Sequence, residues 1–185
     1  MLTDKDLESM AKYFLKKYFG NLPEIPCIFE QSKKFDKGDR GVFLMMKNDN
    51  YEESEDELAT WPDYKSKHIN ITHMVGFDIP SEAWTDPENH PDIGIAIIED
   101  LANEPIKCTA ILLHELVHYY CWYTGLDHKD GAAQFEKKLK EMGLPSNSSH
   151  KYDNNLKEWV DGFDYEPTEK YYYEYVDFIK TNDKK

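Results

Sequence analysis

His114-Glu115-Leu116-Val117-His118 is the stretch of this chain whose residue types and spacing point most directly to chemistry. In an α-helix, residues four apart lie one turn apart on the same face. Two imidazoles so placed can bind one ion at about 2.0–2.1 Å, the bond length zinc takes with histidine nitrogen. Glu115 lies roughly a hundred degrees round the helix from His114. From there its carboxylate stands beside such an ion rather than on it, where it can take a proton from a water. The spacing therefore predicts a Zn2+ site with His114 and His118 as ligands and Glu115 as the general base of a hydrolysis.

The flanking residues supply the helix that must carry these groups. Asn103 can cap it, Pro105 suits its first turn and Gly125 can end it. That spans about twenty residues, or roughly 30 Å. Ile106, Leu112, Leu113, Leu116, Val117 and Tyr120 make it apolar on most sides, as expected of a buried helix. Two histidines and a glutamate in such a setting are costly to bury without partners. The plainer reading, hydrogen-bonded core histidines, suits a lone histidine better than this set.

Around that helix the sequence predicts a small α+β scaffold. Thr3 and Asp6 resemble a capping box, and Leu7, Ala11, Phe14 and Tyr18 recur at helical spacing, which gives an N-terminal helix over residues 4–19. Residues 26–30 and 42–46 read as strands able to pair as a hairpin about Gly38. Residues 48–63 form an acidic insertion, residues 68–72 alternate like a strand, and residues 73–91 make a Pro-rich connection of a length that often borders a cleft. Ile93, Ile95 and Ile97 alternate with Gly94 and Ala96, so a strand precedes the motif helix and can offer an edge to an extended substrate. Ala132, Phe135, Leu139 and Met142 mark a following helix closed by Gly143 and Pro145. Pro167 starts a final Tyr-rich helix whose aromatics are expected to pack back on the domain.

Composition narrows the function classes. A length of 185 residues suits one domain with a short appendage. Residues 1–17 are charged and lack an apolar signal segment, and no run of about eighteen apolar residues exists to span a membrane. Cys27, Cys108 and Cys121 are odd in number and sit in apolar stretches, which favours reduced thiols and a cytoplasmic setting. With 36 acidic against 22 basic residues and a net charge of −14, direct DNA binding by the surface is disfavoured. Small lysine clusters, such as Lys12, Lys16 and Lys17, read as solvated faces.

The order of elements, with Leu112-Leu113-His114-Glu115-Leu116-Val117-His118 and the helix over residues 135–143, resembles the SprT-like metallopeptidases across roughly residues 7–145. The resemblance implies a compact zincin-like fold with a sheet of about three to four strands. It implies a SprT-like domain over residues 1–145, with residues 146–185 as an extension packed on it. It also implies zinc-dependent endopeptidase activity on a protein or peptide substrate, with Glu115 catalytic and a third ligand between residues 126 and 131. The chain lacks the paired C-x-x-C zinc ribbon that many members carry. A metzincin is excluded by spacing, since Cys121 and Thr124 stand where its glycine and histidine would be. A gluzincin would recruit a glutamate such as Glu136, which lies beside core-facing Phe135 and is expected to face solvent.

Two residues compete for the third position. His128 stands ten residues after His118, and three histidines match the family's ligand set. Asp130 lies five residues before Phe135, nearer the family's spacing, with Gly131 after it. An aspartate before a helix has an ordinary job as a cap, whereas a histidine in this turn has none, so residue chemistry selects His128. The rival to an enzyme is a binding protein on the same scaffold with structural zinc. Tyr119, Tyr120, His73 and the C-terminal tyrosines are all candidates to stabilise an oxyanion, and the sequence singles out none.

Overall fold

Thr3 opens the first helix: its hydroxyl accepts from the Asp6 N–H while the Asp6 carboxylate accepts from the Thr3 N–H. Helix α1 (Asp4–Tyr18) then buries Leu7, Met10, Ala11, Phe14 and Leu15 along one stripe. The structure, a computed structural model, describes residues 1–35, 39–45, 93–146, 149–155 and 158–182. The acidic insertion, the alternating segment 68–72 and the connection 73–91 lie outside the described residues.

Three strands form a mixed sheet in the order β1 (Cys27–Glu30), β3 (Ile93–Ile98), β2 (Gly41–Met45). β3 runs parallel to β1 and antiparallel to β2. The hairpin expected between the first two strands is therefore not formed, because β3 lies between them. The residues of β3 explain this: Ile93 through Ile97 are all buried, and a strand buried on both faces is stable with neighbours on both sides. For the same reason β3 has no free edge to offer a substrate. Among the described residues β2 is the outer strand on that side.

Each outer strand turns a backbone donor towards a helix carboxylate. On β1 the Phe29 N–H donates to Asp4 Oδ1 at 2.7 Å, tying the start of α1 to the sheet. On β2, the Ile98 N–H donates to the Arg40 carbonyl at 2.9 Å, which makes residues 40 and 98 a hydrogen-bonded pair. Antiparallel alternation then turns the Gly41 and Phe43 N–H groups away from β3.

After a 3₁₀ turn over Glu99–Asn103, helix α2 (Pro105–Tyr123) carries the motif. Glu104 takes the cap position instead of Asn103, without a side-chain bond, and Pro105 fills the first turn as expected. α2 buries Cys108 through Leu113, Glu115, Leu116, Val117, Tyr119 and Cys121, packing on the sheet, on α1 and on the two helices that follow. Buried Thr109 donates its hydroxyl to the Pro105 carbonyl at 2.7 Å, so that hydroxyl is not orphaned. Helix α3 (Ala133–Met142) buries Phe135, Leu139 and Met142 and ends at Gly143, whose φ of 67° is the left-handed stop that glycine allows. A hairpin of β4 (His150–Asp153) and β5 (Glu158–Asp161) follows. Its strands are four residues each, too short and polar for a period of two to stand out in sequence. The described residues thus form an α+β fold with four α-helices.

Helix α4 (Glu169–Asn182) lies against α1 and α2. Tyr171 and Tyr175 are buried, whereas Tyr173 and Phe178 stay 53% and 45% exposed, so one stripe packs rather than the whole tyrosine cluster. Tyr171 meets Tyr18 at 5.4 Å between ring centroids, and Tyr175 meets Phe14 at 6.4 Å. The Tyr171 hydroxyl donates to the Met142 carbonyl at 2.6 Å, fastening the end of α3. Removing the chain from Thr168 onward is expected to lower the melting temperature strongly. Each buried tyrosine lost removes an aromatic payload comparable to the ~1.5–3 kcal/mol of a core side chain. An unchanged melting temperature by calorimetry would refute that role.

Candidate metal centre

On α2 the i,i+4 spacing brings His114 Nε2 and His118 Nε2 to 3.2 Å from one another. The other nitrogen of each ring is held by a backbone carbonyl: His114 Nδ1 by Pro145 at 2.7 Å and His118 Nδ1 by His128 at 2.5 Å. A carbonyl can only accept, so both Nδ1 atoms carry the proton and both Nε2 atoms of the neutral rings are bare lone pairs. This is the outer-shell arrangement that orients metal-binding histidines. Phe135, fully buried, stacks on His118 at 4.0 Å and meets His114 edge-on at 5.2 Å, which fixes the ring planes.

Asp130, not the His128 ring, faces these lone pairs. Its Oδ1 lies 3.6 Å from both Nε2 atoms. The His128 ring sits 6.5 Å from His118 between centroids and edge-on to Phe43 at 6.1 Å. Among the described residues its Nε2 is buried without a hydrogen-bond partner, and its contact with the centre is the backbone carbonyl on His118. The turn explains the exchange. Gly131 takes a φ of 82°, and its N–H donates to Glu136 Oε1 at 3.2 Å. The cap position of α3 is Ala132, with no side-chain bond. The cap position thus falls on Ala132 rather than on Asp130, and Glu136 closes the turn.

Three acceptor atoms thus converge with spacings of 3.2, 3.6 and 3.6 Å. Such a set repels itself unless a proton or a cation lies among its members. Tetrahedral zinc with bonds of ~2.0–2.1 Å separates its ligand atoms by roughly 3.3 Å, so the residues present fit that ion. The same convergence shapes their basicity. Burial, reinforced by His114, pulls His118 down to about 4. Burial acts the same way on His114, but Asp130, Glu115 and the Pro145 carbonyl outweigh it and raise its pKa.

Glu115 is 5% exposed, and its carboxylate lies with the two imidazole nitrogens in a cluster whose atoms are within 4.8 Å of one another. Burial pushes its pKa up to about 7, with Asp130 and Asp39 adding to the rise and His114 opposing it. The Phe43 N–H, turned outward from β2, donates to this carboxylate. Glu115 is thus held at the sheet edge, next to the imidazoles.

Three of the other sequence candidates have partners of their own. The Tyr119 hydroxyl donates to the Pro23 carbonyl at 3.2 Å, and Tyr171 is committed to Met142. Tyr120 packs on Phe19, and His73 is outside the described residues. Among the described residues the site is two imidazoles and a carboxylate around a common point, with a second, buried carboxylate alongside. The chain matches no protein-family model, no curated protein and no solved structure.

Proposed function

We propose that this protein is a zinc metalloendopeptidase of the SprT-like type on a zincin-like scaffold, with His114, His118 and Asp130 as the metal's protein ligands. The observation that carries the reading is the convergence of the two Nε2 atoms and Asp130 Oδ1 beside buried Glu115. Zinc held by His114, His118 and Asp130 would supply Lewis acidity and lower the pKa of water towards 7. Glu115 would take a proton from the attacking water as its oxygen adds to the carbonyl carbon. It then delivers the proton to the amide nitrogen as the C–N bond breaks, so the base is regenerated. The Pro145 and His128 carbonyls keep both imidazoles presenting Nε2 throughout.

Protein or peptide chains are the substrate class that this chemistry serves, and the net charge of −14 weighs against direct contact with DNA. The thiols of Cys27, Cys108 and Cys121 are buried and free, which supports a reducing, cytoplasmic setting. No described helix is long and apolar enough to cross a membrane. The alternative, a binding protein with structural zinc, gives no reason to bury an extra carboxylate beside the imidazoles at the cost of its desolvation. Zinc-loaded protein is expected to cleave unfolded casein, to stop when a chelator strips the metal, and to resume when zinc is restored. Full zinc occupancy with no cleavage of unfolded substrates would select the binding role.

A further inference from the structure

Gly41, at the start of β2, stands directly against the base. A methyl group built on it would lie 2.8 Å from Glu115 Oε1, 3.0 Å from Glu115 Cγ and 2.7 Å from Ile111 Cγ2. Atoms so close must move apart. Ile111 is 8% exposed and β-branched, so its freedom to give way is small. Glu115 is the longer and more flexible side chain, and swinging it aside would take its carboxylate off the Phe43 N–H. Gly41 and Phe43 are two apart on one strand, and both turn their N–H groups away from β3. One supplies room and the other supplies the donor.

We infer that Gly41 is a positioning residue for Glu115: its missing side chain lets α2 close on the edge of β2 so that the Phe43 N–H holds the base beside the metal ligands. The inference rests on the hydrolytic reading for its effect on rate but not for its effect on geometry. Nothing in the backbone conformation of Gly41 demands glycine; the demand comes from Glu115 and Ile111.

The experiment is a double-mutant cycle with Gly41→Ala and Glu115→Ala, in zinc-loaded protein cleaving unfolded casein. In the wild-type background Gly41→Ala is expected to lower kcat by on the order of ten- to a hundredfold, part of what a well-placed base contributes, with KM and zinc content near those of wild type. In the Glu115→Ala background, where no base remains to be displaced, it is expected to change the residual rate by less than about twofold. An equal loss in both backgrounds would mean that Gly41 serves packing alone and would overturn the inference. Amide hydrogen exchange supplies a readout that needs no activity: Gly41→Ala and Glu115→Ala should each speed exchange at Phe43 while sparing Val42, whose N–H faces β3. If wild-type protein cleaves nothing, the hydrolytic reading fails and exchange alone decides. Unchanged protection at Phe43 in Gly41→Ala would then overturn the positioning role. Should Gly41→Ala fail to fold, Gly41→Ala/Ile111→Ala against Ile111→Ala carries the same measurements, because it clears the Ile111 methyl from the added carbon.

Discussion

Glu115→Gln is expected to retain zinc and to lose peptide cleavage by about 10²–10⁴-fold or more, the range a positioned general base supplies. Glutamine has nearly the shape of glutamate, and its amide oxygen can still accept from the Phe43 N–H. It adds no bulk against Gly41, where space beside the side chain is least. What it cannot do is take a proton from water. The proposed ligand atoms of His114, His118 and Asp130 are untouched, so metal content should match wild type. Burying a neutral amide is also less costly than burying a carboxylate whose pKa burial has lifted to about 7, so the melting temperature should not fall. Zinc analysis and cleavage kinetics on one preparation check all three points. A zinc-replete variant that cleaves as fast as wild type would assign the proton transfer to another group.

The features legible in the sequence are those fixed within one or two helical turns. The i,i+4 histidines, the Thr3–Asp6 box, Pro105 at a first turn and Gly143 at a last one each act over a few residues, and each appears at its expected place. The features that required tertiary structure are those set by residues far apart. Residue 43 is placed beside residue 115 by a strand order that puts β3, more than fifty residues further along the chain, between β1 and β2. The apolar pattern of β3 marks it as buried but does not name its neighbours. Gly41 gives no local signal at all, because its close contacts belong to the facing helix. The tyrosines near the C-terminus divide into buried Tyr171 and Tyr175 and exposed Tyr173 by the ordinary helical period, which the density of aromatics obscures.

The proposed third ligand shows how a turn can weigh against a choice made on residue chemistry. Imidazole is the better-known third partner for two zinc-bound histidines, and an aspartate before a helix has capping to do. Yet α3 begins at an Ala132 cap with no side-chain bond, and Gly131 in the left-handed region turns the chain so that Asp130 faces both Nε2 atoms at 3.6 Å. His128, two residues earlier, is turned towards Phe43 and acts through its carbonyl. Asp130→Ala is therefore expected to weaken zinc binding by more than the 10–100-fold typical of losing an outer-shell partner, because a direct ligand is removed. His128→Ala is expected to hold zinc within that outer-shell range or better, since the carbonyl on His118 Nδ1 survives the substitution. Competition of each variant with a chromophoric chelator for zinc gives both constants. Tight zinc in Asp130→Ala together with its loss in His128→Ala would return the third position to the histidine and require the turn to rearrange when the metal binds.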